Sequence, residues 1–293
     1  MPPSDTSFTG KTCLITGGTS GIGLVTAEAL ASKGYNVFLV ARDPKKGAEV
    51  VEKIRKSTGN PAVEFLLADL SRQTDIRKLA SDFLARSSRL DVLVNNAGAI
   101  FAKREVTADG LEKTFALNHL AYFLLTNLLL DALKAAAPSR VVNVSSDAHR
   151  FTFGIPWDDL QSETRYGGFR NYSQSKLANL LFTKELALRL EGTGVTVNAL
   201  HPGVVSTGIL FGNGAWGRLW RTFSRPFEIS PIDGARTTIY LATSPEVADV
   251  SGAYFEKMKI ARPSKLAQDA ASAKRLWQES ERLVGLATRE PSR

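Results

Sequence analysis

The chain has 293 residues, of which 43% are hydrophobic, with 37 Lys and Arg against 29 Asp and Glu and a formal net charge of +8. This length suffices for a large buried core, and the single cysteine, Cys13, excludes an internal disulfide framework. With three histidines, no Cys/His cluster has metal-ligand spacing, so we expect no metal and a reducing, cytoplasmic location. The basic residues are spread along the chain, which argues against nucleic-acid binding.

Membrane and export signals are also missing from the sequence. The N-terminal stretch MPPSDTSFTGKTCLITGG lacks a basic region followed by an apolar one, and the longest apolar run, LAYFLLTNLLL, is too short to span a bilayer. We therefore expect a soluble chain.

Short β-branched runs alternate with helical patterns along the chain, which is typical of βαβ units. The pattern predicts an α/β fold: a Rossmann-type, doubly wound, seven-stranded parallel sheet in a single domain, 1–293. The strands are KTCLIT, NVFLVA, VEFLLA, DVLVNN, RVVNVSS, VTVNAL and GAYFE. A long helix is predicted from Gly110 to Ala136, and an amphipathic C-terminal helix over about 262–286.

A glycine-rich turn, TGGTSGIG, follows the first strand and leads into a helix. Gly17, Gly21 and Gly23 would let the backbone turn tightly and approach a pyrophosphate at the helix N-terminus. The spacing is G-x-x-x-G-x-G instead of G-x-G-x-x-G, and any tight strand-to-helix connection can also use glycines. Its position in the βαβ series favours dinucleotide binding.

The end of the second strand predicts which nicotinamide cofactor is used. An acid there would bind the ribose hydroxyl of NAD, but this strand ends with Ala41 and Arg42. A guanidinium can hold the 2′-phosphate of NADP, with Lys45 and Lys46 nearby, although Asp43 follows directly. The sequence favours NADP (NADPH); the alternative is a solvated loop arginine.

Two polar residues interrupt an apolar helix in the stretch NYSQSKLANLLF. Tyr172 and Lys176 are four residues apart, so they share one face of the helix. An ammonium beside a phenol stabilises the phenolate and lowers its pKa, with the positive charge of an oxidised nicotinamide adding to the effect. The pair is either a tuned proton donor for a carbonyl or an ordinary surface pair.

Other polar residues are placed to assist that chemistry. Ser145 and Ser146 end the fifth strand, where one hydroxyl can donate to the substrate oxygen, and adjacent strand residues point in opposite directions. Asn118 interrupts an apolar helix, where it either binds a water that joins Lys176 to solvent or bends the helix.

Together, TGGTSGIG, NNAG, a serine on strand five and YSQSK resemble the short-chain dehydrogenase/reductase family in order and spacing. The resemblance implies that Tyr172 is the acid/base, Lys176 lowers its pKa and binds the ribose, Ser146 rather than Ser145 contacts the substrate oxygen, and Asn118 serves the proton relay. Thr207 either contacts the nicotinamide amide or caps a helix. The implied cofactor contacts are Gly17, Thr19, Ser20, Gly21, Ile22, Gly23, Arg42, Asp69, Leu70, Asn96, Ala97, Gly98, Tyr172, Lys176, Pro202, Gly203, Val205 and Thr207.

Within the family, LNHLAYF, VVNVSSDAH, HPGVVSTG and AKRLWQESERLVGL look most like the retinol dehydrogenase branch. That resemblance implies an NADP-linked enzyme for apolar alcohols and aldehydes, and a homodimer or homotetramer through the long fourth and fifth helices. The absence of the N-terminal membrane segment common in animal members questions a retinoid substrate. Two other functions remain open: a non-catalytic dinucleotide-binding regulator, and a reductase of carbon–carbon double bonds like the protochlorophyllide reductases.

Residues 206–231 follow the sixth strand and should overhang the nicotinamide. Aromatic and aliphatic residues at helical spacing, with arginines largely on the other side, predict a short basic amphipathic helix: Trp216, Leu219, Trp220 and Phe223. This segment is expected to be a substrate lid, with a subunit contact or a peripheral membrane contact through 215–225 as alternatives.

Overall fold

The computed structural model describes residues 8–203 and 230–286. The strands are β1 (Thr12–Ile15), β2 (Asn36–Ala41), β3 (Val63–Leu67), β4 (Val92–Asn95), β5 (Ser139–Val144), β6 (Val195–His201), β7 (Tyr254–Glu256) and β8 (Lys259–Ile260). The helices are α1 (Gly21–Ser32), α2 (Pro44–Thr58), α3 (Gln73–Leu84), α4 (Lys113–Phe115), α5 (Ala121–Leu128), α6 (Leu130–Ala135), α7 (Gly168–Arg189), α8 (Pro231–Thr243) and α9 (Ala270–Val284).

The strands form one sheet in the order β3-β2-β1-β4-β5-β6-β7-β8. The seven predicted strands are all present and parallel, which confirms the predicted fold class, and the sequence missed β8, a two-residue strand antiparallel to β7. The strand order reverses between β1 and β4, which lie side by side and run parallel to each other. In such sheets a ligand crevice opens at the carboxyl ends of the strands flanking the reversal.

Side chains that alternate along the strands divide the core between the two faces of the sheet. Leu14 belongs to the cluster under α3, α5, α7 and α9, whereas its neighbours Cys13 and Ile15 belong to the cluster under α1, α2 and α8. Helices on both faces explain why the central strands are continuous apolar runs.

The prediction of one long helix from Gly110 to Ala136 was wrong in two respects: the helix starts later than predicted, and it is interrupted. Gly110 has a φ of 77° and lies in a turn, and the helix begins at Lys113. Glu112 fixes this start, because its carboxylate accepts the backbone N–H groups of Thr114 at 2.7 Å and Phe115 at 2.8 Å. Residues 116–120 then form a π-helical turn, and a further break at Leu129 separates α5 from α6.

The C-terminal helix also begins later than predicted. Its carboxylate cap is Asp269, which accepts the N–H of Ser272 at 2.9 Å, so α9 starts at Ala270 instead of near 262. Trp277 packs against Phe123 at 4.8 Å and Phe182 at 6.0 Å between ring centroids, so α9 covers the outer side of α5 and α7.

Two features of the described residues bear on membranes and metals. No helix among them combines the length and hydropathy needed to cross a membrane. Within residues 8–203 and 230–286, no group of three His, Cys, Asp or Glu side chains is placed to hold a metal ion. Val205, Thr207 and the predicted lid up to residue 229, with its basic helix, lie outside the described residues.

Candidate active site

The glycine-rich turn has the backbone geometry that a phosphate site needs. Gly17 and Gly21 adopt positive φ values of 64° and 54°. A Cβ on Gly23 would lie 2.2 Å from the carbonyl oxygen of Gly17, so α1 can approach the turn only with glycine there. Ser20 precedes α1 and makes no side-chain cap, which leaves the first N–H groups of the helix to an anionic ligand. The turn therefore fits a dinucleotide pyrophosphate.

Strand β4 and the turn after β1 are tied together at the reversal point. The Thr16 hydroxyl accepts the N–H groups of Asn96 at 2.8 Å and Ala97 at 3.0 Å, and the Asn96 amide donates to the Thr16 carbonyl at 2.9 Å. This places Asn96 and Ala97 directly beside Gly17. Thr16 was not singled out by the sequence, although its position before the glycines is the signal for it.

Arg42 and Asp69 come together beyond the ends of β2 and β3. Burial acts to raise the pKa of Asp69, but hydrogen bonds from Ser71 and the nearby charges of Arg42 and Lys113 hold it below the usual value. Asp43 is the N-cap of α2 and accepts the Lys45 N–H at 2.8 Å. Because this carboxylate is engaged with the helix, it leaves the exposed Arg42 guanidinium available for a phosphate.

The remaining predicted cofactor residues among those that the structure describes lie in the glycine-rich turn, at the start of α1, or after β3, β4 and β6. Thr19 and Ser20 lie in the glycine-rich turn, while the Ile22 and Leu70 side chains are each 7% exposed. Pro202 and Gly203 follow β6, and Gly203 has a φ of 93°. A Cβ on Gly98 would lie 3.3 Å from the Asn118 side-chain oxygen and 3.5 Å from Lys176 Nζ, so a larger residue would crowd the site.

Asn118 lies in the π-helical turn and joins two parts of the site. Its side-chain oxygen accepts the Ala99 N–H at 2.9 Å, and its amide donates to the Ala99 carbonyl at 2.9 Å and the Ser175 hydroxyl at 3.0 Å. Ser175 in turn donates to the Tyr172 carbonyl at 2.7 Å. The Asn118 side chain thus fixes the loop after β4 to the helix that carries Tyr172.

The two serines at the end of β5 have different partners. The Ser145 hydroxyl is buried and donates to the Lys176 carbonyl at 2.9 Å, so it anchors α7 to the strand. The Ser146 hydroxyl accepts the Ala148 N–H at 3.2 Å and is close enough to the Tyr172 phenol to oppose the rise in its pKa. Of the two, Ser146 is the one on the side of the reacting phenol.

Lys176 is almost fully buried, with 3% of the residue exposed, and its Nζ donates to the Val144 carbonyl at 3.0 Å. Nζ lies 5.5 Å from the centroid of the Tyr172 ring, so the two side chains do share one site. Tyr172 itself is partly exposed, as a group that meets a substrate must be.

Burial shifts the pKa values of both Tyr172 and Lys176. Burial raises the pKa of Tyr172 to about 12, and the Ser146 hydrogen bond opposes this with a smaller effect. Burial also lowers the pKa of Lys176 to about 7. The expectation that the ammonium, together with an oxidised nicotinamide, lowers the pKa of the phenol stays a prediction for the cofactor-bound enzyme; in the chain alone the effect of burial dominates.

The three histidines and the cysteine are held by local contacts. His119 Nε2 lies 2.9 Å from the Ser280 hydroxyl, His149 Nδ1 lies 2.8 Å from the Ser146 carbonyl, and His201 Nδ1 accepts the Asp147 N–H at 3.2 Å. Cys13 is buried in β1, and this burial raises the pKa of its thiol.

Comparisons with known proteins agree with this geometry. A family model for short chain dehydrogenases matches residues 11–216. Human retinol dehydrogenase 13 is 46% identical over 290 residues, covering 97% of this chain and 87% of that protein. Human retinol dehydrogenase 12 is 46% identical over 277 residues, covering 94% and 87%.

Solved structures extend the similarity to three dimensions. An uncharacterized protein from Mycobacterium paratuberculosis is 35% identical, with a TM-score of 0.78 and coverage of 95% of each chain. A Pseudomonas aeruginosa RhlG/NADP active-site complex is 28% identical, with a TM-score of 0.69 and coverage of 91% of this chain and 100% of that one. The chain therefore belongs to the short-chain dehydrogenase/reductase family of oxidoreductases.

Proposed function

We propose that the chain interconverts an apolar alcohol and its aldehyde or ketone, with NADP as cofactor and Tyr172 as general acid/base. The observation that carries this proposal is the convergence of Tyr172, Lys176, Ser146 and Asn118 beside a glycine-rich turn shaped for a dinucleotide. The names of the similar retinol dehydrogenases support an apolar alcohol as the substrate class.

The residues that would hold the cofactor follow the crevice. The glycine-rich turn and the N-terminus of α1 would bind the pyrophosphate, Arg42 would pair with the 2′-phosphate, and Asp69 would contact the adenine. Lys176 would bind the ribose through the ammonium protons that Val144 leaves free. When bound, the nicotinamide supplies or accepts the hydride.

Proton transfer falls to Tyr172. In reduction its phenol gives a proton to the carbonyl oxygen as the hydride reaches the carbon, and in oxidation the phenolate removes the alcohol proton. A pKa of about 12 keeps the resting phenol protonated near neutral pH, so the site is ready for reduction. Ser146 would donate to the same oxygen and stabilise the developing alkoxide.

The test is an assay of NADPH and NADH consumption with small and bulky apolar aldehydes and ketones. We expect NADPH-linked reduction, and we expect Tyr172→Phe to lower kcat by at least about 100-fold while NADPH affinity is kept.

A matched pair of variants tests the two serines. Ser146→Ala should lower kcat by about 100-fold or more, as the loss of one oxyanion donor does. Ser145→Ala removes an anchor of α7, so it should lower thermal stability while costing much less turnover. Equal losses of kcat in both variants would contradict the assignment of Ser146.

Two outcomes would overturn the proposal as a whole. One is tight NADPH binding without turnover across the aldehydes and ketones, which would favour a dinucleotide-binding regulator. The other is near-normal turnover in Tyr172→Phe, which would remove Tyr172 from proton transfer.

A further inference from the structure

The ammonium of Lys176 lies near the faces of two tyrosine rings. Its Nζ is 5.5 Å from the centroid of the Tyr172 ring and 5.9 Å from that of Tyr122. Tyr172 is one turn away on the same helix, whereas Tyr122 is in α5, directly after the π-helical turn that carries Asn118. The second ring therefore reaches the ammonium from a different element.

The hydroxyl of Tyr122 does not explain why a tyrosine stands there. The residue is 1% exposed, and its hydroxyl has no hydrogen-bond partner among the described residues. An unpaired buried hydroxyl is destabilising, so for packing alone phenylalanine would be the better residue. What Tyr122 offers to the site is the face of an aromatic ring, which carries partial negative charge and attracts cations.

We propose that Tyr122 is a positioning residue for the reaction: the face of its ring holds the Lys176 ammonium in its charged form. The inference rests on the proposed role of Lys176 in the site, but the charge of that lysine can be measured without turnover. The stretch from Asn118 to Tyr122 then positions two parts of the site: Asn118 fixes the loop after β4, and Tyr122 fixes the Lys176 ammonium.

The surroundings of Lys176 make this contact matter. Burial lowers the pKa of Lys176 to about 7, and no carboxylate of the described residues opposes that change. The titratable groups that face the ammonium are Tyr172 on its own helix and Tyr122 on α5. Strand β5 and the π-helical turn contribute a carbonyl and an amide, which are uncharged. A cation–π contact is thus one of the few interactions here that favour the protonated amine.

The direct test is a pH titration of Lys176 in the cofactor-free chain. Lysine labelled with ¹³C at the ε-carbon reports protonation by NMR, and the Lys176 signal is assigned by its loss in Lys176→Met. In Tyr122→Leu the titration midpoint should fall by about 0.4 to about 1.5 pH units, the size of a cation–π contact. In Tyr122→Phe, which keeps the ring, the midpoint should stay within about 0.2 units.

Controls separate this effect from a general loosening of the core. Tyr35 is also 1% exposed but lies in the cluster under α1 and α2, so Tyr35→Leu should leave the Lys176 midpoint unchanged. If Tyr122→Leu does not fold, Tyr122→Met replaces it with the same expectation. In the enzyme assay, the high-pH limb of kcat/KM for reduction should move down in Tyr122→Leu by the same interval as the midpoint.

Three results would overturn the inference: an unchanged midpoint in the Leu or Met variant, an equal shift in Tyr122→Phe, or an equal shift in Tyr35→Leu. The first removes the contact, the second assigns the effect to the hydroxyl, and the third assigns it to the core. If the midpoints shift as expected while the unmodified chain turns over no carbonyl, the proposed function fails and the positioning of Lys176 stands.

Discussion

Lys176 should make the folded chain less stable than it would be with an apolar residue at that position. Burial lowers the pKa of Lys176 from 10.5 to about 7. That difference of roughly 3.5 units corresponds to about 4 kcal/mol in the free energy of unfolding at pH 7. Lys176→Met removes this term, keeps most of the packing of the stem, and loses the hydrogen bond to Val144, worth about 2 kcal/mol for a charged donor. The variant should gain about 2 kcal/mol overall.

The sign of the pH dependence follows from the direction of the shift. A lowered pKa means that the folded chain binds fewer protons than the unfolded chain between pH 7 and 10.5, so the native protein loses stability as the pH falls through that interval. The penalty that Lys176→Met removes is therefore almost fully present near pH 7 and falls to zero near pH 10.5. After the loss of about 2 kcal/mol for the hydrogen bond, the net advantage of the variant should vanish at about pH 9. For a chain of this size, the gain at pH 7 corresponds to a rise of about 4–8 °C in Tm.

The assay is thermal unfolding of the cofactor-free chain at several pH values, followed by fluorescence or circular dichroism. Lys274→Met is the matched control, because Lys274 is exposed on α9 and its replacement should change Tm little at any pH. A Lys176→Met protein that is less stable at pH 7, or whose advantage does not depend on pH, would refute the reasoning. Turnover should be lost in the same variant, so stability and activity would move in opposite directions.

Three further predictions concern the cofactor, the catalytic proton and the core. Arg42→Asp should shift preference from NADPH toward NADH, because a carboxylate repels the 2′-phosphate; an unchanged ratio of kcat/KM for the two cofactors would move discrimination to Lys45, Lys46 or the glycine-rich turn. Alcohol oxidation should accelerate as the pH rises from 6 to 9, because Tyr172 has a pKa of about 12 in the chain and the small fraction present as phenolate grows with pH; an oxidation rate that does not change over this range would contradict this. Burial lowers the pKa of His119 from 6.5 to about 4, so its neutral ring contributes stability that is complete above pH 6.5 and is lost toward pH 4. This loss amounts to about 3 kcal/mol. Denaturation in His119→Gln should be less acid-dependent over that range, and an unchanged slope of Tm against pH would show that other groups govern it.

The sequence predicted those features that depend on local spacing. Tyr172 and Lys176 are four positions apart, which places them on one face of any helix, and the glycines after β1 predict the tight turn because few other residues allow it. Alternation of apolar strands and helices was likewise enough to predict the seven parallel strands.

Features that depend on tertiary contacts were missed or left open. The choice between Ser145 and Ser146 turns on which side of β5 faces α7 and its phenol, and adjacent strand positions look alike in sequence. The sequence alone predicts a helix from Gly110, but the Glu112 cap makes α4 start at Lys113. Tyr122 looks like one more apolar helix residue until the fold brings Lys176 against its ring.

Burial explains both the cost of Lys176 and its usefulness. In a dry site an ammonium destabilises the fold, but the same low polarity strengthens its attraction for a phenolate or for a ribose oxygen. The chain accordingly holds α7 at several points: Ser145 anchors the Lys176 carbonyl, and Ser175 links the Tyr172 carbonyl to Asn118. These bonds act on the backbone on either side of the catalytic pair and leave the phenol and the ammonium free for ligands. Rigidity is thus supplied by neutral groups that act on the backbone, while the phenol keeps a proton that it can exchange with the substrate.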